Sequence, residues 1–168
     1  MLRSCTLFSF ALLSLAHANT AAAECELSAD QREMLERVND ARSESRQCGD
    51  ESFPATHPLE WNCSLAEAAH GHSRNMAEEE FFDHSDTDDQ GVAARVSDTG
   101  YVWQAVGENI AAGQAEVERV MQGWLESPGH CANIMSGDFS EMGAASFEEE
   151  SSRYSPVVVK ESVASEVF

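Results

Sequence analysis

Apolar residues recur at helical spacing in three stretches of the chain. In "QREMLERVNDARSES", Met34, Leu35, Val38 and Ala41 share one stripe, and Ser28 followed by Gln31 has the spacing of a capping box. In "LAEAAHGHSRNMAEEEFF", Leu65, Ala68, Ala69, His72 and Met76 fall on one side, with Ser64 and Glu67 spaced as a second capping box. "AEVERVMQGWLES" carries Val117, Val120, Met121 and Trp124 at the same period, and "VAARVSDTG" reads as a shorter helix. Ser127, Pro128 and Gly129 break the helix that Trp124 ends. Gly49 and the loop "DESFPATHP" end the first helix, its two prolines excluding regular structure. "AVGENIAAG" reads as an irregular strand. "EMGAASFEEESSRYSPVVVKESV" alternates and is rich in β-branched residues, which predicts two hairpin strands. Helices first and strands late predict an α+β fold, or a layered αβα arrangement.

The chain has 168 residues, enough for one domain. Its first stretch is of another kind. "MLRSCTLFSFALLSLAHA" has one early arginine, an apolar run from Leu7 to Ala16, and an Ala-x-Ala pattern at Ala16 to Ala18. This predicts a secretory signal peptide over residues 1–23, cleaved after residue 18 or 23, and a single domain over 24–168. No later segment is apolar enough for a membrane span. The expected location is outside the cytoplasm, secreted or periplasmic. Four cysteines then remain, Cys25, Cys48, Cys63 and Cys131, and in an oxidising compartment they predict two disulfides with three pairings open. No Cys-x-x-Cys pair points to a zinc module.

Ten Lys and Arg stand against 30 Asp and Glu, a formal charge of −20. Such a surface repels phosphate, which argues against nucleic acid as a partner. The acidic runs read as a solvated face.

Five blocks stand in fixed order: "VNDAR", "PLEWNCSLAEAAHGHSRNMAEEEFFDHSD", "GENIAAG", "GWLESPGHCANIM" and "EMGAA". Together they resemble the CAP superfamily of cysteine-rich secretory, antigen five and pathogenesis-related proteins, in its bacterial branch of SCP-like extracellular proteins. The likeness runs from about Leu35 to Ala145. It implies an αβα sandwich, a small antiparallel sheet flanked by helices, with a surface cleft holding two histidines and one or two acidic residues. By motif these fall on His84 in "FFDHSD", Glu108 in "GENI" and His130 in "SPGH". The fourth position is Glu126, or Ser127 if the family's spacing from Trp124 is kept. The resemblance also implies that Cys48 pairs with Cys131, leaving Cys25 with Cys63.

Imidazoles beside carboxylates suit Zn²⁺ or another divalent cation, and the same groups suit acid–base work. No nucleophile signature accompanies them: Gly-x-Ser-x-Gly and His-Glu-x-x-His are both lacking. The expected protein is a secreted, monomeric binding domain with a cation cleft, and a small lipid or sterol-like ligand as a further partner. An extracellular metal-dependent hydrolase and an interaction module without chemistry are the alternatives. The C-terminal "RYSPVVVKESVASEVF" lacks the family's usual Trp-x-Gln strand. There the sequence predicts a strand around Val157, Val158 and Val159, and fraying over the last eight or so residues.

Overall fold

The computed structural model describes residues 25–148 and 162–168. The expected signal peptide and the valine triplet lie outside the described residues. The first helix, α1 (Ala29–Arg42), opens as its capping box predicts. Ser28 Oγ accepts the Gln31 N–H at 3.2 Å, and Gln31 Oε1 accepts the Ser28 N–H at 2.9 Å. The helix ends at Arg42, and the chain turns into a hairpin of β1 (Arg46–Cys48) and β2 (Glu51–Phe53). Gly49, with φ +61°, makes that turn. The sequence had suggested helix and loop here; strands of three residues carry too short a pattern to read.

After β3 (Glu60–Trp61), the Asn62 N–H still bonds Met142 O at 2.8 Å, so the chain leaves the sheet at Asn62. Asn62 then caps α2 (Cys63–Glu78), its Oδ1 accepting the N–H groups of Ser64 and Leu65. The sheet thus fixes the helix start, and the expected cap at Ser64 is displaced by two residues. Next come α3 (Val92–Asp98), β4 (Glu108–Ala112) and α4 (Val117–Glu126). α5 (Pro128–Met135), β5 (Glu141–Glu148) and β6 (Ser162–Val167) complete the order. α5 is a correction, since the Ser-Pro-Gly break does not lead into a loop. Pro128 starts a new helix, a position where its missing N–H costs nothing.

The main sheet has the order β3-β5-β6-β4, with β3 parallel to β5 and the other pairs antiparallel. Successive residues of β5 face opposite sides. Met142 and Ala144 join the cluster of Met34, Val38, Met121, Trp124 and Ile134 from α1, α4 and α5. Ala145 and Val167 join Leu65, Ala69 and Val96 from α2 and α3. The result is the layered α+β architecture, α1, α4 and α5 on one face and α2 and α3 on the other. Among the described residues no helix is long and apolar enough to cross a membrane.

The expectation of a frayed C-terminus does not hold. β6 lies inside the sheet, paired to β4 on one edge and β5 on the other. Val167 and Phe168 are buried, Phe168 stacks on Phe139 at 5.2 Å, and its N–H bonds Gly107 O. Proximity to a chain end promotes fraying only where the segment has no such partners.

Two disulfides, Cys25–Cys63 and Cys48–Cys131, match the pairs that the resemblance implies. The second fastens the β-hairpin to α5. Arg42, fully buried, also grips that region, donating to the carbonyls of His57, Ile134, Ser136 and Phe139. Two of these acceptors sit at the end of α5, where a cation also meets the negative end of the helix dipole.

Candidate functional site

The first strand of the site is β4. Its opening residues, Glu108 and Asn109, are buried polar groups at one end of the sheet. Asn133 of α5 donates to Glu108 O at 3.2 Å and Asn109 Oδ1 at 3.0 Å, while Asn109 Nδ2 donates to His130 O at 3.2 Å. These amide bonds lock α5, which carries His130, to β4. Its neighbour Cys131 is fully buried in the disulfide. The His130 ring lies 6.5 Å from that of Trp124.

Glu108 is the centre of the arrangement. Its side chain is 1% exposed, and both oxygens are engaged. Arg95 Nη2 donates to Oε1 at 2.7 Å, and His84 Nδ1 stands 2.9 Å from Oε2. A carboxylate only accepts, so His84 donates from Nδ1, and in its neutral form its lone pair is on Nε2. The His84 side chain is 55% exposed. His72, fully buried on α2, lies 4.0 Å from Glu108 Oε2 and donates Nε2–H to Asp83 O at 2.9 Å. Burial lowers the His72 pKa below the ordinary imidazole value; Glu108 opposes that shift and Arg95 adds to it. His130 is also lowered, first by burial and then by the charge of His84.

The structure brings the His84 and Glu108 side chains together, and ties His130 to the strand of Glu108 through its backbone carbonyl. Glu126 does not join them. Trp124, on the same helix, is buried at 2% exposure, and two residues further on is a turn of about 200°. Glu126 consequently faces out, taking a hydrogen bond from Gln122 at 2.9 Å and lining a surface groove with Arg37 and Arg46. Ser127 is the N-cap residue of α5; its carbonyl accepts the Cys131 N–H. Two members of the cluster escaped the sequence reading. His72 read as a core histidine, which it is, yet it also borders the carboxylate. Arg95 had no sequence signal except its place in a short helix, and only the fold brings it to Glu108.

A scan against family models matches residues 35–161 to the cysteine-rich secretory protein family, CAP. The chain belongs to that family. Curated relatives include the uncharacterized protein YkwD of Bacillus subtilis, 27% identical over 129 residues that cover 77% of this chain. The uncharacterized membrane protein YlbC of the same organism is 33% identical over 85 residues, 51% of this chain. The chain spans 47% of YkwD and 25% of YlbC, so both are longer proteins. Among solved structures, an extracellular protein with an SCP domain from Bacillus anthracis superposes with a TM-score of 0.58 at 21% identity, over 85% of this chain and 44% of that one. An outer surface protein of Borrelia burgdorferi gives 0.60 at 17% identity, covering 82% and 86%. The CAP fold is thus shared at identities where sequence alone carries little.

Among the described residues no three His, Cys, Asp or Glu side chains are grouped to hold a metal ion. Both Glu108 oxygens are engaged by Arg95 and His84. What the structure does offer is a buried His/Glu/Arg cluster with an exposed imidazole hydrogen-bonded to a carboxylate.

Proposed function

We propose that this chain is an exported CAP-domain binding protein whose cleft takes a divalent cation of the Zn²⁺ class through His84 and His130. The observation that carries this reading is the hydrogen bond from His84 Nδ1–H to Glu108 at 2.9 Å. A carboxylate on one ring nitrogen fixes the tautomer and raises the basicity of the other, the arrangement that metal-ligating histidines use. The lowered pKa of His130 supports it, since a ligand must be neutral. Two protein ligands suit the donor set present and leave the remaining positions to solvent, so the cation is exchangeable rather than structural. Bound there, it would act as a Lewis acid. The two disulfides and the family suit an oxidising location, secreted or periplasmic.

A second reading rests on a separate cavity of about 180 Å³ between α1 and α4. Met34, Val117, Val120 and Ala144 give it an apolar lining, with Gln31 and His70 at its edge. Drug-sized pockets hold roughly 300 Å³ or more, so this one accommodates a small apolar group and is too small for a whole sterol.

Zinc calorimetry on the oxidised protein tests the first reading. Micromolar binding that His84→Ala and His130→Ala each remove is the expected result. Absence of binding, or binding that survives both substitutions, would overturn it.

A further inference from the structure

The cavity between α1 and α4 joins an apolar interior to a rim of one charge sign. Its buried lining residues, Met34, Val120, Ala144 and Ala145, are all apolar. Its acidic lining residues, Asp30 and Glu116, are both exposed, and no lysine or arginine lines it. Asp30 lies in the first turn of α1, and Glu116 is the N-cap residue of α4, where its side chain makes no capping bond. Among the described residues neither carboxylate has an ion-pair partner. The two helix N-termini oppose these charges with about half a positive unit each, so roughly one net negative charge remains at the rim. The groove lined by Arg37 and Arg46 differs, since it also carries Asp40, Glu118 and Glu126 and favours neither sign.

Volume and charge together select an occupant. An apolar cavity of about 150 Å³ takes benzene. The cavity here, about 180 Å³, therefore holds one aromatic ring or a short alkyl chain. A cationic arm on that ring reaches the rim and stays in contact with water, which avoids the cost of burying an ammonium. The formal charge of −20 on the chain also favours the approach of a cation over that of a carboxylate.

We propose that this cavity is a binding site for small organic amines, with the apolar part seated against Met34, Val120 and Ala144 and the ammonium held by Asp30 and Glu116. This rests on the second reading given above, that the cavity takes a small apolar group, and its test separates the two.

The experiment titrates the full oxidised protein with three ligands of one shape: phenethylamine, phenethyl alcohol and phenylacetate. The methyl resonances of Met34, Val117, Val120 and Ala144 in ¹H–¹³C NMR spectra report the site. Phenethylamine should shift these methyls and bind about fivefold tighter than the alcohol, the size expected of two exposed ion pairs, with phenylacetate weakest. Asp30→Asn combined with Glu116→Gln should bring the amine down to the affinity of the alcohol, and high salt should narrow the same gap. Binding of the alcohol or of phenylacetate as tight as that of the amine, or an amine preference that survives in the folded double variant, would overturn the proposal. If the double variant does not fold, the ranking of the three ligands on the unaltered protein decides. Alcohol binding at these methyls without an amine preference sinks the amine proposal and upholds the apolar reading. If none of the three ligands moves these methyls, both fall.

Discussion

Gly143 of β5 lies directly against the backbone of Ala66 in α2: a Cβ placed on Gly143 would fall 2.0 Å from the Ala66 nitrogen. The sheet and the helix meet here without a side chain between them. The contact sets how closely α2, which carries His72 and leads to His84, approaches the strand paired with β6.

Gly143→Ala should therefore be among the most damaging small substitutions in the chain. The clashing atoms are helix backbone and cannot rotate away, so the expected loss is about 3 kcal/mol or more, at the upper end of overpacking effects. Urea denaturation of the purified variant measures it. A change under about 1 kcal/mol would show that α2 shifts freely on the sheet.

The Cys48–Cys131 bridge closes a separation of 83 residues and is buried at both ends, whereas Cys25–Cys63 closes 38 and starts at an exposed residue. Replacing Cys48 and Cys131 by alanine should cost about 2–5 kcal/mol, and the Cys25 and Cys63 pair less. Because His130 precedes Cys131, the first double variant should also weaken zinc binding while the second leaves it unchanged. Denaturation and zinc calorimetry on both variants check the ranking, and equal effects would contradict it.

Stability should fall on the acid side of neutrality. The folded pKa values of His72 and His130 lie below those of the unfolded chain, near 6.5. In the window between folded and unfolded values the unfolded state binds more protons, so stability rises with pH there. The contribution is complete above the unfolded value and is lost as pH drops below about 6.5 toward the folded values. Denaturation midpoints across this range, with His72→Gln as the comparison, should show a shallower acid-side decline in the variant. Parallel curves would mean that His72 does not contribute.

Much of this was legible because it is local. The capping box at Ser28 and Gln31 forms as written, and the stripes of α1, α2 and α4 bury the residues that their period selects, Leu35 and Val117 only partly. Fixed-order motifs pointed to His84, Glu108 and His130, and of these the structure pairs the side chains of His84 and Glu108. The misses are of another kind. Glu126 sits one position from the family's spacing and turns outward on its helix. α5 was hidden behind a Pro-Gly pair that also starts helices.

By itself, then, the sequence determined helices α1 to α4, the α+β class, the family likeness and the residues that could form a cleft. These follow from periodicity, caps and ordered motifs, all properties of neighbouring residues. Only the tertiary structure decided that the final residues form an inner strand, and that Arg95 reaches across to occupy Glu108. Both depend on partners distant along the chain. An ionised carboxylate can serve a cation or a guanidinium, and which one it meets is settled by packing.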